Sequence, residues 1–248
     1  MSVLALRLAG PLQAWGSTAR FARRTTETAP TKSGVIGMLA AALGRGRDAD
    51  LSDLAALAFA VRIDQAGTRL RDFQTAQHGD TGKSMPVSER FYLADAVFVA
   101  AIAGDDDLIE GLHQAVRMPI YLPYLGRRSC PPQGPVDLGV RRGNDPVQAL
   151  SREPWQAAAW HQQRNRRNEA VSLTVVADAA AADPRGEALR DQPLSFAPTH
   201  RRYALRNVVI TSVDVPNPQW APRALPVPRH HPEDLLTPLP PQHSLDGH

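Results

Sequence analysis

Cysteine is almost missing from this chain: there is one, Cys130, in 248 residues. A lone cysteine excludes an internal disulfide and a cysteine-rich zinc site. Two prolines follow it and nothing nearby supplies a base to form a thiolate, so it reads as a small packing residue rather than a nucleophile. Long apolar runs are missing too. The best candidate, Ala96 to Ala103, is strand-sized, far short of the roughly eighteen residues that a membrane span needs. At the N-terminus, Val3 to Leu8 is too short for a secretory core, contains Arg7, and has no basic region before it. The expectation is a cytoplasmic protein with no membrane partner.

A convincing acid–base set is also lacking. The eight histidines are scattered: His78 in a polar segment, His113 beside an apolar helical face, His161 among glutamines and arginines, His200 before two arginines, and His230, His231, His243 and His248 near the C-terminus. Metal-free RNA cleavage needs a base for the 2′-hydroxyl and an acid for the leaving oxygen, and no such pair stands out. Asp105 to Asp107 has the charge for a metal, but helix capping explains it more simply. Ala29 to Gly34 reads Ala-Pro-Thr-Lys-Ser-Gly and lacks the upstream glycine of a phosphate-binding Walker loop. The sequence therefore implies no catalytic residues, no metal and no cofactor.

What is present is arginine, unevenly placed. Net charge is only +3, yet residues 1–47 hold Arg7, Arg20, Arg23, Arg24, Lys32, Arg45 and Arg47 against Glu27 alone. A second basic region extends from Arg117 to Arg167. Two such regions converging in a fold would make an electrostatic footprint for a polyanion.

Within them lie three cassettes. Tyr121 to Pro132 reads Tyr-Leu-Pro-Tyr-Leu-Gly-Arg-Arg-Ser-Cys-Pro-Pro, and this combination of rings, a glycine turn, Arg127, Arg128 and Ser129 suits single-stranded RNA. A solvated loop with inward tyrosines is the alternative. Leu8 to Gly16 carries Gln13, able to read base edges, and Trp15, either a stacking platform or a core residue. Arg20, Arg23 and Arg24 follow it. At the third cassette, Lys32 and Ser33 open a helix whose free N–H groups suit a phosphate, with capping by the hydroxyls as the competing reading.

Element patterning points to an α+β fold. Val3 to Leu8 reads as a strand; Val35, Ile36, Leu39 and Leu43 mark a helix stopped by Gly44; Leu54 and Leu57 mark a short second helix. Strands are expected over Phe59 to Asp64, Arg69 to Phe73, Arg90 to Leu93 and Ala96 to Ala103. A further helix carries Leu108, Ile109, Leu112 and Val116. Strand, helix, strand, strand, helix, strand, interrupted by a hairpin, is the ferredoxin-like order. Asp145 and Pro146 look like the N-cap and first turn of a short helix. Val171 to Val176 and Val208 to Val213 are strand candidates, separated by a polar, alanine-rich stretch from Ala177 to Gln192. Nine of the 22 prolines follow Asp214, so Pro216 to His248 reads as an extended arm or tail.

Taken in order, Leu8 to Gly16, Pro30 to Gly37, Leu70 to Thr75, Arg90 to Phe98, Tyr121 to Pro131 and Asp145 to Leu150 resemble the CasD (Cas-five) family of type I-E CRISPR Cascade complexes. The resemblance runs from the first strand to about Asp214. It implies an RRM-like ferredoxin core with thumb hairpin over 1–135 (the thumb at about 74–92), a smaller irregular β-rich part over 136–214, and a Pro-rich tail over 215–248. It also implies a noncatalytic subunit capping the crRNA 5′ handle, beside the Cascade backbone and large subunits and, through the assembly, target DNA near the guide start. Gln13, Trp15, Arg20, Arg23, Arg24, Lys32, Ser33, Arg90, Arg127, Arg128 and Ser129 are then the candidate RNA contacts. The enzymatic alternative is a metal-independent crRNA endoribonuclease, and a third reading is a protein-only adaptor.

Overall fold

The computed structural model describes residues 1–16, 23–143, 145–180 and 183–222. In chain order the strands and helices are β1 (Ser2–Ala9), β2 (Leu12–Gln13), β3 (Arg23–Arg24), α1 (Lys32–Ala42), α2 (Ser52–Ala55), β4 (Ala58–Gln65), β5 (Thr68–Gln74), β6 (Ser88–Ala94), β7 (Val97–Gly104), α3 (Asp106–Arg117), β8 (Asp137–Arg142), α4 (Pro146–Arg152), α5 (Ala159–Arg164), β9 (Ala170–Asp178), β10 (Glu187–Ser195) and β11 (Arg202–Pro216).

The main sheet is antiparallel, in the order β10-β11-β9-β4-β7-β1-β8. Every residue of β7 is buried, because side chains alternate between two covered faces. Leu4, Leu6, Leu8, Phe59, Phe98 and Ile102 belong to one core with the apolar residues of α1 and α3. Val3, Ala60, Val99, Ala101 and Val175 form the other with Ala149 and Leu150 of α4.

Three of the helices start where the local chemistry expects. Thr31 caps α1 by accepting from the Gly34 N–H at 3.2 Å, Asp105 caps α3 through the Asp107 N–H, and Asp145 caps α4 with Pro146 in its first turn. Each oxygen satisfies an N–H that has no partner within its helix. Helix α1 is buried on nearly all sides rather than on one apolar stripe, since Lys32, Ser33, Met38 and Ala40 are buried along with Val35, Ile36 and Leu39. Its Gly34 lies under the Trp15 indole, where a Cβ would come within 2.8 Å of the ring.

Three features depart from the sequence reading. The stretch from Ala177 to Gln192, read as a polar, alanine-rich separator between strands, contains most of β10. Its Pro193 and exposed residues conceal the strand pattern, and its place at the sheet edge tolerates both. Strand β11 reaches from Arg202 to Pro216, well beyond Val208 to Val213, because most of it is half-exposed and carries little apolar signal. Helix α5 starts without a side-chain cap, leaving no local sign of where it begins.

A second, smaller sheet is built on β6. Strand β5 pairs along its length from Thr68↔Ala94 to Gln74↔Ser88. On its other edge β2 meets Leu93 and Ala94, while β3 runs parallel beside Glu89 and Arg90. Beyond the paired strands, an isolated bridge joins Gln77 to Ser84. Residues from 223 onward, most of the expected Pro-rich tail, lie outside the described residues. Among the described residues, no helix is long and apolar enough to cross a membrane.

Candidate nucleic-acid interface

Two of the cassettes are packed against each other. The Ala14 N–H donates to the Leu125 carbonyl at 3.1 Å, and the Gln133 N–H to the Ala9 carbonyl at 2.9 Å. Gly126 has a φ of +84°, and a Cβ there would collide with the Ala14 carbonyl oxygen. Only glycine combines that backbone conformation with so close an approach. The loop closes on itself, since the Leu125 N–H donates to the Cys130 carbonyl at 2.7 Å and the Cys130 N–H to the Arg127 carbonyl at 2.9 Å. Arg128 and Ser129 stand exposed at its tip. Cys130 is fully buried beneath, and burial pushes its thiol pKa up, opposite to what a nucleophile needs.

Around that loop the arginines converge. The Arg127 guanidinium lies 4.6 Å from the centre of the Tyr92 ring, a cation–π stack, and its Nη2 donates to the Arg24 carbonyl at 2.9 Å. Arg24 pairs in register with Arg90, which shares a face of β6 with Tyr92 two residues on. Both Arg90 Nε and Arg127 Nη1 are buried and have no hydrogen-bond partner among the described residues. Buried donors are nearly always paired, so two orphaned guanidinium N–H groups in one cluster favour an external acceptor. Arg24 is exposed and extends the positive charge outward. On the opposite face of the hairpin, Arg69 sits over Phe91 and Arg71 over Phe73. Sequence reasoning missed Tyr92, Arg69 and Arg71 as part of this surface. The alternation of Arg69, Arg71 and Phe73 was the signal for the last two.

Other candidates sit below this surface. Gln13 is fully buried; its Nε2 donates to the Leu8 and Ala96 carbonyls at 3.0 and 2.7 Å, and its Oε1 accepts from Trp15 Nε1 at 3.0 Å. Trp15 is 1% exposed and presents no free face. Lys32 is buried and directed elsewhere. Its Nζ pairs with Asp178 at 3.1 Å, while its backbone N–H donates to Asp191 at 2.8 Å. The N-terminus of α1 is thus occupied by the chain's own carboxylate, the anion that position favours. Ser33 is buried beside Thr31. Arg20 lies outside the described residues, and Arg23 contributes backbone to β3.

The pair Asp178 and Asp191 also binds Arg206, at 2.6 Å to each. Burial works against the Arg206 charge, but the hydrogen bonds and charges of Asp191 and Asp178 outweigh it and hold its pKa above the ordinary arginine value. Arg62 and Asp64 form a second internal pair at 2.7 Å, both side chains fully buried. Burial raises the Asp64 carboxyl above its usual range despite the opposing hydrogen bonds and charge of Arg62.

Among the described residues, His78, His113 and His161 have separate surroundings. His113 Nε2 meets Asp137 at 3.2 Å, His161 packs edge-on between Trp155 and Trp160, and His78 accepts from the Asp80 N–H beyond the β5–β6 hairpin. Among the described residues no three His, Cys, Asp or Glu side chains are grouped as metal ligands.

Comparison with known proteins gives the surface a context. The family described as CRISPR-associated protein (Cas_Cas5) matches residues 3–209. The CRISPR system Cascade subunit CasD of Escherichia coli (strain K12) is 41% identical over 170 residues, which cover 60% of this chain and 75% of that protein. A chain of a solved CRISPR RNA-guided surveillance complex is 33% identical, with a TM-score of 0.72, covering 89% of this chain and 94% of that one. A solved Cas protein is 34% identical, with a TM-score of 0.65, covering 89% of this chain and 98% of that one. The chain belongs to the CRISPR-associated Cas5 family.

Proposed function

We propose that this chain is the noncatalytic subunit of a type I-E CRISPR Cascade complex that holds the 5′ handle of the crRNA. The observation that carries the reading is the pair of buried guanidinium N–H groups on Arg90 and Arg127 that have no partner among the described residues, placed where exposed Arg24, Arg128 and Ser129 can continue the grip. Phosphate oxygens are the acceptors such groups suit, since arginine forms forked, charge-assisted bonds to them. Gln13 and Trp15 act from beneath, fixing the loop, and Lys32 and Ser33 anchor α1. Arg20 and Arg23, which follow the Leu8 to Gly16 cassette in sequence, are proposed as further phosphate ligands.

The fold assignment belongs to the same reading. β1, α1, β4, β7, α3 and β8 follow the order strand, helix, strand, strand, helix, strand, with their strands side by side as β4-β7-β1-β8; this supports an RRM-like ferredoxin core. The hairpin of β5 and β6, with the segment between them, supports the thumb. A division into a core over 1–135, a smaller part over 136–214 and a tail over 215–248 completes the proposal.

Handle binding at one end of the guide sets this subunit beside the Cascade backbone and large subunits, and near target DNA at the guide start. The noncatalytic role is supported by His78, His113 and His161, which among the described residues sit in separate elements with separate partners.

The test is assembly of the complex with Arg127→Ala and Arg128→Ala together, followed by sequencing the ends of the bound RNA. Loss of retained handle RNA at moderate salt, with the isolated subunit's melting temperature near wild type, is expected. Unchanged retention overturns the site. Cleavage of repeat RNA by the purified subunit in EDTA, at a defined position, overturns the noncatalytic role.

A further inference from the structure

The chain has four tryptophans. Trp15 and Trp155 are buried, whereas Trp160 and Trp220 are 58% and 45% exposed. Arg166 and Arg167 sit in the turn that follows α5, and Trp220 follows β11. Between that turn and the segment after β11 lies a cleft of about 620 Å³, whose walls include Gln163, Arg166, Arg167, Gln219 and Trp220. Among the described residues, no acidic residue lines it. Arg166 and Arg167 are exposed and form no ion pair among the described residues.

The frame of this cleft is built. Asn217 is 5% exposed and joins both walls. Its Nδ2 donates to the Asn165 carbonyl at 2.9 Å and the Gln162 carbonyl at 3.3 Å. Its Oδ1 accepts from the Gln219 N–H at 2.9 Å, and its carbonyl from the Trp220 N–H at 3.0 Å. The Ala221 N–H closes the frame on the Arg166 carbonyl at 2.9 Å. Each of these bonds ties a wall-forming segment to its neighbour, so the arginines and the indole hang from a fixed backbone. Side-chain amides offer edge hydrogen bonds, the indole a stacking face, and the guanidinium groups phosphate ligands.

Its position fits one strand of nucleic acid continuing from the first site. β1 ends at Ala9 opposite Val97, and β4 ends at Gln65 opposite the same residue. At that same end of the sheet β9 begins at Ala170, paired with Pro216 at the end of β11. From β1 to β9 is three strand steps, or about 14 Å at ordinary strand spacing. The second cleft therefore faces the same end of the sheet as the cassettes.

We propose that the Arg166–Arg167–Trp220 cleft is a second single-stranded polynucleotide subsite. It takes a phosphodiester on the two arginines and an unstacked base on Trp220. It extends the nucleic-acid reading given above but stands on different residues. The shared chemistry of phosphate and base face is common to RNA and single-stranded DNA.

The experiment uses the purified full chain with fluorescein-labelled ten-nucleotide oligouridylate and oligothymidylate, titrated over a range of salt. Arg166→Glu with Arg167→Glu should weaken binding by tenfold or more and lower the salt slope by about 2. Trp220→Leu should weaken binding about fivefold, while Trp220→Phe, which keeps a stacking ring, should stay near wild type. Both measurements are repeated on an Arg127→Ala/Arg128→Ala background. If the first site fails but this one is real, the Arg166 and Arg167 changes still reduce the remaining affinity there. An effect confined to the uridylate assigns the cleft to RNA, and one confined to the thymidylate assigns it to a DNA strand. Unchanged affinity for both probes overturns the subsite. So does a charge reversal that disrupts assembly with partner subunits while leaving both probes bound, which would identify an acidic protein segment as the occupant.

Discussion

Arg206 and Arg127 are the same residue type put to opposite ends. Arg206 meets two carboxylates at 2.6 Å, both of its partners belong to this chain, and Lys32 joins the same group. Arg127 leans on a tyrosine ring and bonds a backbone carbonyl, yet one of its buried nitrogens has no acceptor among the described residues. The first arrangement has its charge neutralised internally and ties the adjoining strands β9, β10 and β11 to the start of α1. The second keeps charge and donors unspent among the described residues, at a cost in stability that a bound anion would offset. In a chain with 28 lysines and arginines, the partner list separates structural cations from ligand-seeking ones; the residue type does not.

The most forceful way to break the contrast is Arg206→Ala. Removing the cation leaves Asp191, fully buried, facing the helix start alone, and should cost about 3–5 kcal/mol in urea unfolding. The salt dependence of RNA binding by the surviving folded fraction should not change. Next is Gly126→Ala, which forces a side chain against the Ala14 carbonyl at positive φ. About 2 kcal/mol of destabilisation is expected, accompanied by loss of RNA retention because the cassettes separate.

Arg90→Gln sharpens the comparison from the other side. It should weaken handle binding roughly tenfold, equivalent to about 1.4 kcal/mol, with a melting temperature at or slightly above wild type. A fall in melting temperature like that of Arg206→Ala would place Arg90 among the structural cations.

The smallest effect concerns His161. Burial between two indole rings and then the Arg164 charge lower its pKa. A depressed histidine pKa means the unfolded chain binds the proton first, so this contribution is present above about pH 6.5 and is lost as pH falls through the lower folded value. Melting temperature measured from pH 7 to 5 should decline less in His161→Gln than in the wild type.

Periodicity and caps made much of the core legible. Ala96 to Ala103 as a strand, Ile109, Leu112 and Val116 as a helical face, and Asp145 before Pro146 all declare themselves within a few residues. That two arginine-rich regions could converge was also legible; the backbone bonds that join Ala14 to Leu125 and Gln133 to Ala9 were not. What the sequence hid was non-local. Lys32 looks like a phosphate ligand until Asp178 and Asp191 are seen beside it, and Tyr92 gains its role only from an arginine 35 positions later. Trp15 resembled a stacking platform because its enclosure comes from Gly34 and the folded loop. Strand β10 escaped notice because an edge strand can hold Pro193 and polar residues without penalty.

One carboxylate has a consequence for how the chain is made. The Asp191 oxygen that accepts from the Lys32 N–H lies 159 residues downstream. As the nascent chain leaves the ribosome, the opening helix emerges long before its terminal anion exists. That end of α1 stays uncompensated until the late strands arrive and dock, so a ribosome paused ahead of codon 191 presents an exposed lysine and an unfinished sheet edge. Domains fold as units during synthesis, and here the last step of that unit reaches back to secure one of the first.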